Sequence, residues 1–147
     1  MKNKAYKNTK VNYVKTQMAI TRLLNTRGIY ESRFTNLICR FVLEFCVPEN
    51  GIERSVAVRI VVPVQSKDAN EKNRTQELNA LHRVLFHHLK SKFCAIDNGV
   101  TEFMEEFMPH LIITDQGGNS LTMAQVLLPQ YKESIKTGKQ KEFKLLK

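Results

Sequence analysis

Residues 38–64 constrain this chain more than any other segment. Cys39, Phe41, Leu43, Phe45 and Val47 alternate with Ile38, Arg40, Val42, Glu44 and Cys46. Further on, Val56, Val58, Ile60, Val62 and Val64 alternate with Ser55, Ala57, Arg59, Val61 and Pro63. Successive side chains of a strand point to opposite faces, so each segment reads as a strand with one apolar face to bury. Pro48-Glu49-Asn50-Gly51 lies between them: Pro fixes φ, and Asn-Gly tolerates positive φ. The pattern predicts an antiparallel hairpin.

Helical spacing surrounds the hairpin. From Tyr13 to Arg27, Ile20, Leu23 and Leu24 recur at helical intervals, and Gly28 stands where a left-handed residue closes a helix. A short strand is expected at Ile29–Phe34. After the polar connection Gln65–Asn73, a long helix is expected over Arg74–Asp97, with Leu78, Leu81, Leu85, His88 or Leu89, Lys92 and Ile96 on its stripe and Val84, Phe86 and Phe93 widening it. Gly99 breaks it. Thr101 is the expected N-cap of a short helix whose buried face is Phe103, Met104, Phe107 and Met108. Leu111–Thr114 reads as a short strand and Asp115–Ser120 as a turn. Thr122 then caps a last helix, Met123–Lys136, with Val126, Leu127 and Tyr131 as core contacts and Pro129 as a point of kinking or early stop. Strands grouped before helices predict an α+β fold: an antiparallel sheet of three to four strands, with three to four helices packed on one face.

At 147 residues, 42% hydrophobic and 25% charged, the chain fits one domain with a real core, and wholesale disorder is excluded. The expected organisation is a basic flexible arm over residues 1–12, a single α+β domain over 13–138 and a basic tail over 139–147. No apolar run approaches the ~20 residues that span a bilayer, so no membrane partner is expected. The basic N-terminus has no apolar stretch behind it, which argues against a secretory signal and for the cytoplasm of a bacterial host. Cys39, Cys46 and Cys94 lack CxxC spacing and read as small buried hydrophobes in a reducing compartment.

Charge is segregated along the chain. All seven ionic side chains before Gly28 are positive (Lys2, Lys4, Lys7, Lys10, Lys15, Arg22 and Arg27), within a net charge of +9. Between Phe93 and Tyr131 there is no Lys or Arg, but Asp97, Glu102, Glu105, Glu106 and Asp115 occur. Such separation attracts polyanions to one surface. Lys2, Lys4, Lys7 and Lys10 are spaced to track a phosphate backbone, and Tyr6 and Tyr13 are candidates to stack on bases. Arg40 and Arg59, on the less apolar faces of the hairpin strands, are expected to add charge to an exposed sheet surface.

Other chemistry is weakly signalled. His82, His87 and His88 share one helix, but not at chelating intervals, and read as surface or core-edge residues. Gly117-Gly118 lacks the flanking pattern of a phosphate loop and reads as a tight turn. Glu102 and Glu106 are four apart on one short helix and read as a solvated acidic face; with His110 they are the only candidates for a divalent-metal hydrolase.

The run Arg74-Thr75-Gln76-Glu77 through Leu81, Leu85 and Leu89-Lys90-Ser91-Lys92, then Ile96-Asp97-Asn98-Gly99-Val100-Thr101 and Phe103-Met104-Glu105-Glu106-Phe107, resembles a family of small bacteriophage and prophage proteins. The early helix ending in Gly28, the hairpin closing on Pro63, Leu128-Pro129-Gln130 and Thr137-Gly138 are similar too. The likeness spans about Tyr13 to Gly138. It implies origin in a mobile element and the same α+β layout, and it carries no established reaction or ligand.

The expectation is thus a phage-type accessory protein, not an enzyme, that binds DNA or RNA electrostatically and largely without sequence preference. Lys2, Lys4, Lys7, Lys10, Lys15, Arg22, Arg27, Arg40 and Arg59 are its candidate contacts. The alternative is a protein-interaction module, acting on a host or phage factor, or a small homo-oligomer, through Glu102, Phe103, Glu106 and Phe107. No cofactor and no metal are expected.

Overall fold

The computed structural model describes residues 4–48, 55–66 and 71–138. Its elements are α1 (Tyr13–Asn25), β1 (Glu31–Asn36), β2 (Arg40–Pro48), β3 (Ser55–Pro63), α2 (Glu71–Asp97), α3 (Phe103–Phe107), a 3₁₀ turn (Met108–His110), β4 (Ile112–Thr114), β5 (Ser120–Thr122) and α4 (Met123–Thr137). The main sheet is antiparallel in the order β1-β2-β3, and β4 and β5 form a separate two-stranded hairpin. The expected α+β class is the observed one. Pro48 pairs with Ser55, while Glu49-Asn50-Gly51 of the expected turn lies outside the described residues.

Alternation sorts the sheet into two faces. Phe41, Leu43 and Phe45 of β2 and Val58 and Ile60 of β3 point inward and are buried. Their neighbours Arg40, Val42 and Glu44 stand opposite Pro63, Val61 and Arg59, and point the other way. α1 covers the inner face with Thr16, Ile20 and Leu24, which recur every fourth residue. Asn12 caps α1 by accepting from the Val14 N–H at 2.8 Å. Gly28 ends it at φ +77°, letting the Ile29 N–H reach the Leu24 carbonyl at 3.0 Å. That closure holds Ile29 outside the sheet, so β1 begins at Glu31, two residues later than expected.

α2 starts at Glu71, and the expected stripe faces the core: Leu85, Leu89 and Phe93 are buried, and Leu78, Leu81 and Ile96 pack half-buried beside them, while Asn79, Ala80 and His82 are buried in addition. His82, expected at the surface or core edge, has no solvent exposure. Its ring stacks on Phe41 with centroids 3.9 Å apart. Gln17 Nε2 lies 2.9 Å from its Nε2, and its Nδ1 lies 2.6 Å from the Leu78 carbonyl oxygen. An amide N–H can only donate and a carbonyl can only accept, so the ring is neutral, with its proton on Nδ1. Burial lowers its pKa to about 4, although the bond to Leu78 opposes that shift.

Phe107 is fully buried and closes the far end of the core, within 5.8 Å of Phe45, 5.5 Å of Phe93 and 4.7 Å of Phe103, centroid to centroid. Phe103, also expected on the buried face, packs half-buried against the core, but two other expectations fail here. Met104 and Met108 are exposed, and Thr101 does not cap the helix but donates to Glu106 Oε2 at 2.8 Å. Thr122 caps α4 as expected, in a capping box with Gln125, and the helix runs through Pro129. It packs against β5 and the 3₁₀ turn rather than under the main sheet, so Val126 and Leu127 are half-buried and Tyr131 is exposed. Cys39 and Cys94 are also exposed, and Cys46 is half-buried. Cys39 precedes β2 in the turn, and Cys94 lies on α2 beside the buried stripe rather than on it.

Candidate nucleic-acid interface

The nine cationic candidates separate into distinct places. Lys2 and the tail residues 139–147 lie outside the described residues. Residues 4–12 lie along α2: Gln76 Nε2 donates to the carbonyls of Lys7 at 2.8 Å and Thr9 at 2.9 Å, and the Tyr13 N–H donates to Asn79 Oδ1 at 2.8 Å. Tyr6 stacks one face on His87 with rings 5.1 Å apart and remains exposed, whereas Tyr13 is half-buried beside His82. Lys4 and Lys7 rim an apolar groove of about 610 Å³ between β3 and α2, and Lys10 is exposed.

Arg27 is committed elsewhere. It makes a two-pronged ion pair with Asp97, and its guanidinium lies 4.7 Å above the Phe93 ring. This joins the end of α1 to the end of α2 and neutralises one basic and one acidic residue of the segregated pattern. The Asp97 carboxyl is held below its ordinary pKa mainly by the bonds from Arg27.

Of the remaining cations, Arg22, Arg40 and Arg59 line two depressions joined by Arg33. Lys15 and Arg22 are exposed on α1, seven residues apart and therefore on one helical face. Arg22 shares a groove of about 470 Å³ with Val14, Met18 and the β1 residues Ser32–Phe34. Across β1, the outer sheet face holds Arg33, Arg40 and Arg59 around a depression of about 510 Å³. Arg33 belongs to both depressions and links them.

The register explains this cluster. Arg33 stands opposite Glu44, and Glu44 stands opposite Arg59. Arg33 Nε donates to Glu44 Oε1 at 2.9 Å, and Arg59 Nε donates to Oε2 at 3.2 Å. Arg59 Nη1 also donates to the Ser120 carbonyl at 3.1 Å, which ties the sheet to the β4–β5 hairpin. Burial pushes the Glu44 carboxyl up, but the two arginine bonds and their charges outweigh it, and the net shift is downward. Arg40 makes no ion pair among the described residues. One further carboxylate, Glu31, lies in the phase of Arg33, but at the end of the face away from Arg40. Arg33 escaped the sequence reading although β1 itself was expected. Its signal was its place one residue before the inward Phe34, which put it on the outer face.

The interaction candidates are largely used within the fold. Phe107 is core, Phe103 is half-buried, and Glu106 accepts from Thr101 and from Lys92 Nζ, the latter at 3.4 Å; Glu102 is exposed. Lys92 also donates to the Glu106 carbonyl at 2.9 Å. The bond from Thr101 and the Lys92 charge hold the Glu106 carboxyl below its ordinary pKa. His88 and His110 face the same ammonium, and burial followed by the Lys92 charge lowers both pKa values. Among the described residues, no cluster of three His, Cys, Asp or Glu side chains is placed to hold a metal ion. No helix among them is long and apolar enough to cross a membrane. Neither a protein-family model, nor a curated protein, nor a solved structure matches this chain.

Proposed function

We propose that this protein binds nucleic acid through the outer face of its sheet and the adjoining face of α1, by contact with phosphates and largely without sequence preference. The observation that carries this reading is the convergence of Arg33, Arg40 and Arg59 on one sheet face, with Arg22 joined to it through the groove that Arg33 shares. Lysines and arginines that neutralise phosphates release condensed counterions, and that release drives association. Arginine suits the task because its planar fork stays charged and matches phosphate oxygens in pairs. Lys4, Lys7 and Lys10, on the segment along α2, add to the long-range attraction.

The test is fluorescence anisotropy of a labelled oligonucleotide across a salt titration. With about four phosphate contacts, affinity falls roughly 10²-fold between ~50 and ~200 mM salt. The combined variant Arg33→Glu, Arg40→Glu should lose most of the binding with its circular dichroism spectrum unchanged. Wild-type binding that is absent at low salt, or insensitive to salt, rejects the reading.

A further inference from the structure

Among the described residues, the outer face has charge but no aromatic ring for a base to stack on. Thr35, Val42, Val61 and Gln125 complete the lining around its three arginines and Glu44, and none is aromatic. The phenylalanines of the sheet, Phe34, Phe41 and Phe45, share the opposite phase and pack toward the core. Tyr6 is stacked on His87, and Tyr13 sits beside His82. Tyr30 is 77% exposed, but it precedes β1 in the phase of Ser32 and Phe34, not of Arg33.

We propose that this face takes the double-stranded phosphate backbone, of DNA or RNA, in preference to a single strand; the proposal rests on the nucleic-acid reading above. Proteins that hold single strands combine a basic groove with aromatic rings on which successive bases stack. Here the second component is missing, so a flexible strand must be ordered on the arginines without that gain. A duplex arrives already ordered and carries one charge per ~1.7 Å of axis, so it releases more counterions per contact.

The spacing of the arginines agrees. Arg33 and Arg59 flank Glu44 from the two neighbouring strands, which places their Cα atoms about 10 Å apart at ~4.8 Å per strand. Arg40 lies four residues from Glu44 along β2, about 13 Å away at ~3.4 Å per residue. The grooves of B-DNA are about 6 and 12 Å wide, so three guanidinium groups on this triangle reach phosphates on both sides of a groove. Glu44 acts as a positioning residue: it engages Arg33 and Arg59 through Nε, which fixes the direction of the outer Nη atoms of Arg33 and, since the Ser120 carbonyl takes Nη1 of Arg59, of Nη2 of Arg59.

The experiment compares the full chain on three labelled probes of mixed sequence and ~20 residues per strand: single-stranded DNA, duplex DNA and duplex RNA, each across a salt titration. The expected result is at least about tenfold tighter binding of a duplex than of the single strand at equal salt. Arg33→Ala and Arg40→Ala should each lower the salt slope for the duplex by about one, whereas Tyr30→Ala and Tyr6→Ala leave it unchanged. The order of the two duplexes identifies which source of the backbone fits better, and either one ahead of the single strand supports the proposal. A single strand bound as tightly as a duplex, with the arginine dependence retained, overturns this inference alone. Salt-sensitive binding to none of the three probes overturns the underlying reading as well.

Discussion

The two faces of the main sheet are made of alternate residues on the same strands, yet different physics governs them. The inner face is continuous with α1, α2 and Phe107, and it is tight enough to hold His82 neutral against Phe41. The outer face keeps Glu44 bonded between Arg33 and Arg59 and leaves Arg40 in solvent. Apolar burial and close packing make the inner face responsible for stability. Ion pairs near water contribute little to stability, so the outer face can carry charge for another purpose. The difference teaches that one residue of phase separates the positions that hold this protein together from those that carry its charge.

Substitutions on the two faces should therefore separate cleanly. The largest effect belongs to the inner face: Phe45→Ala, which opens a cavity against Phe107, should cost about 3–5 kcal/mol in urea unfolding. A loss below about 1 kcal/mol would mean that the core is far looser than its contacts imply.

The next effect is a pH dependence seated at His82. Its folded pKa of about 4 lies below the ordinary 6.5, so between these values the unfolded chain binds more protons than the folded one. The stability from the neutral ring is complete above about pH 6.5 and is lost as pH falls toward about 4; a shift of this size is worth roughly 3 kcal/mol. His82→Phe keeps the stack on Phe41 but cannot ionise. Urea unfolding at several pH values should show a flatter acid limb for this variant, and an unchanged limb would assign the dependence to other groups. His88 and His110 are lowered too and act in the same direction.

Smaller effects belong to the outer face. Glu44→Gln removes the only carboxylate between two arginines and should cost about 1 kcal/mol of stability. The same change should weaken duplex binding severalfold at low salt, since an amide has one acceptor oxygen and cannot hold both arginine heads. Tighter binding would mean that repulsion from the Glu44 charge outweighs its positioning of the arginines. Arg40→Ala should change stability by less than about 0.5 kcal/mol while reducing the salt dependence of binding. If Arg40→Ala instead unfolds the chain, the division between the two faces fails.

Much of the architecture was legible because it rests on periodicity. The β2 and β3 alternation, the Gly28 closure of α1, the extent of α2 and the Thr122 cap are local patterns that need no knowledge of distant residues. The failures share one cause. His82 reads as polar in any local window, and only the arrival of Phe41 from the sheet and Gln17 from α1 made burial affordable. Glu106 reads as part of a solvated acidic face, until α3 folded back and set it against Lys92. Tyr131 reads as core, but α4 packs on the small hairpin and leaves that ring exposed.

The candidate site divides in the same way. The sequence by itself determined that the chain has an excess of positive charge, that this excess is concentrated before Gly28, and that Arg40 and Arg59 lie out of phase with their apolar neighbours. It determined the hairpin and helices for the same reason: side-chain direction follows from backbone period alone. Only the tertiary structure decided which cations act together. Strand register set Arg33 and Arg59 on either side of Glu44, helix packing paired Arg27 with Asp97, and contacts with α2 seated Lys4 and Lys7 at the opposite edge. Charge is a property of the residue, but a binding surface is a property of distances between residues remote in the chain, and those distances are fixed only when the core closes.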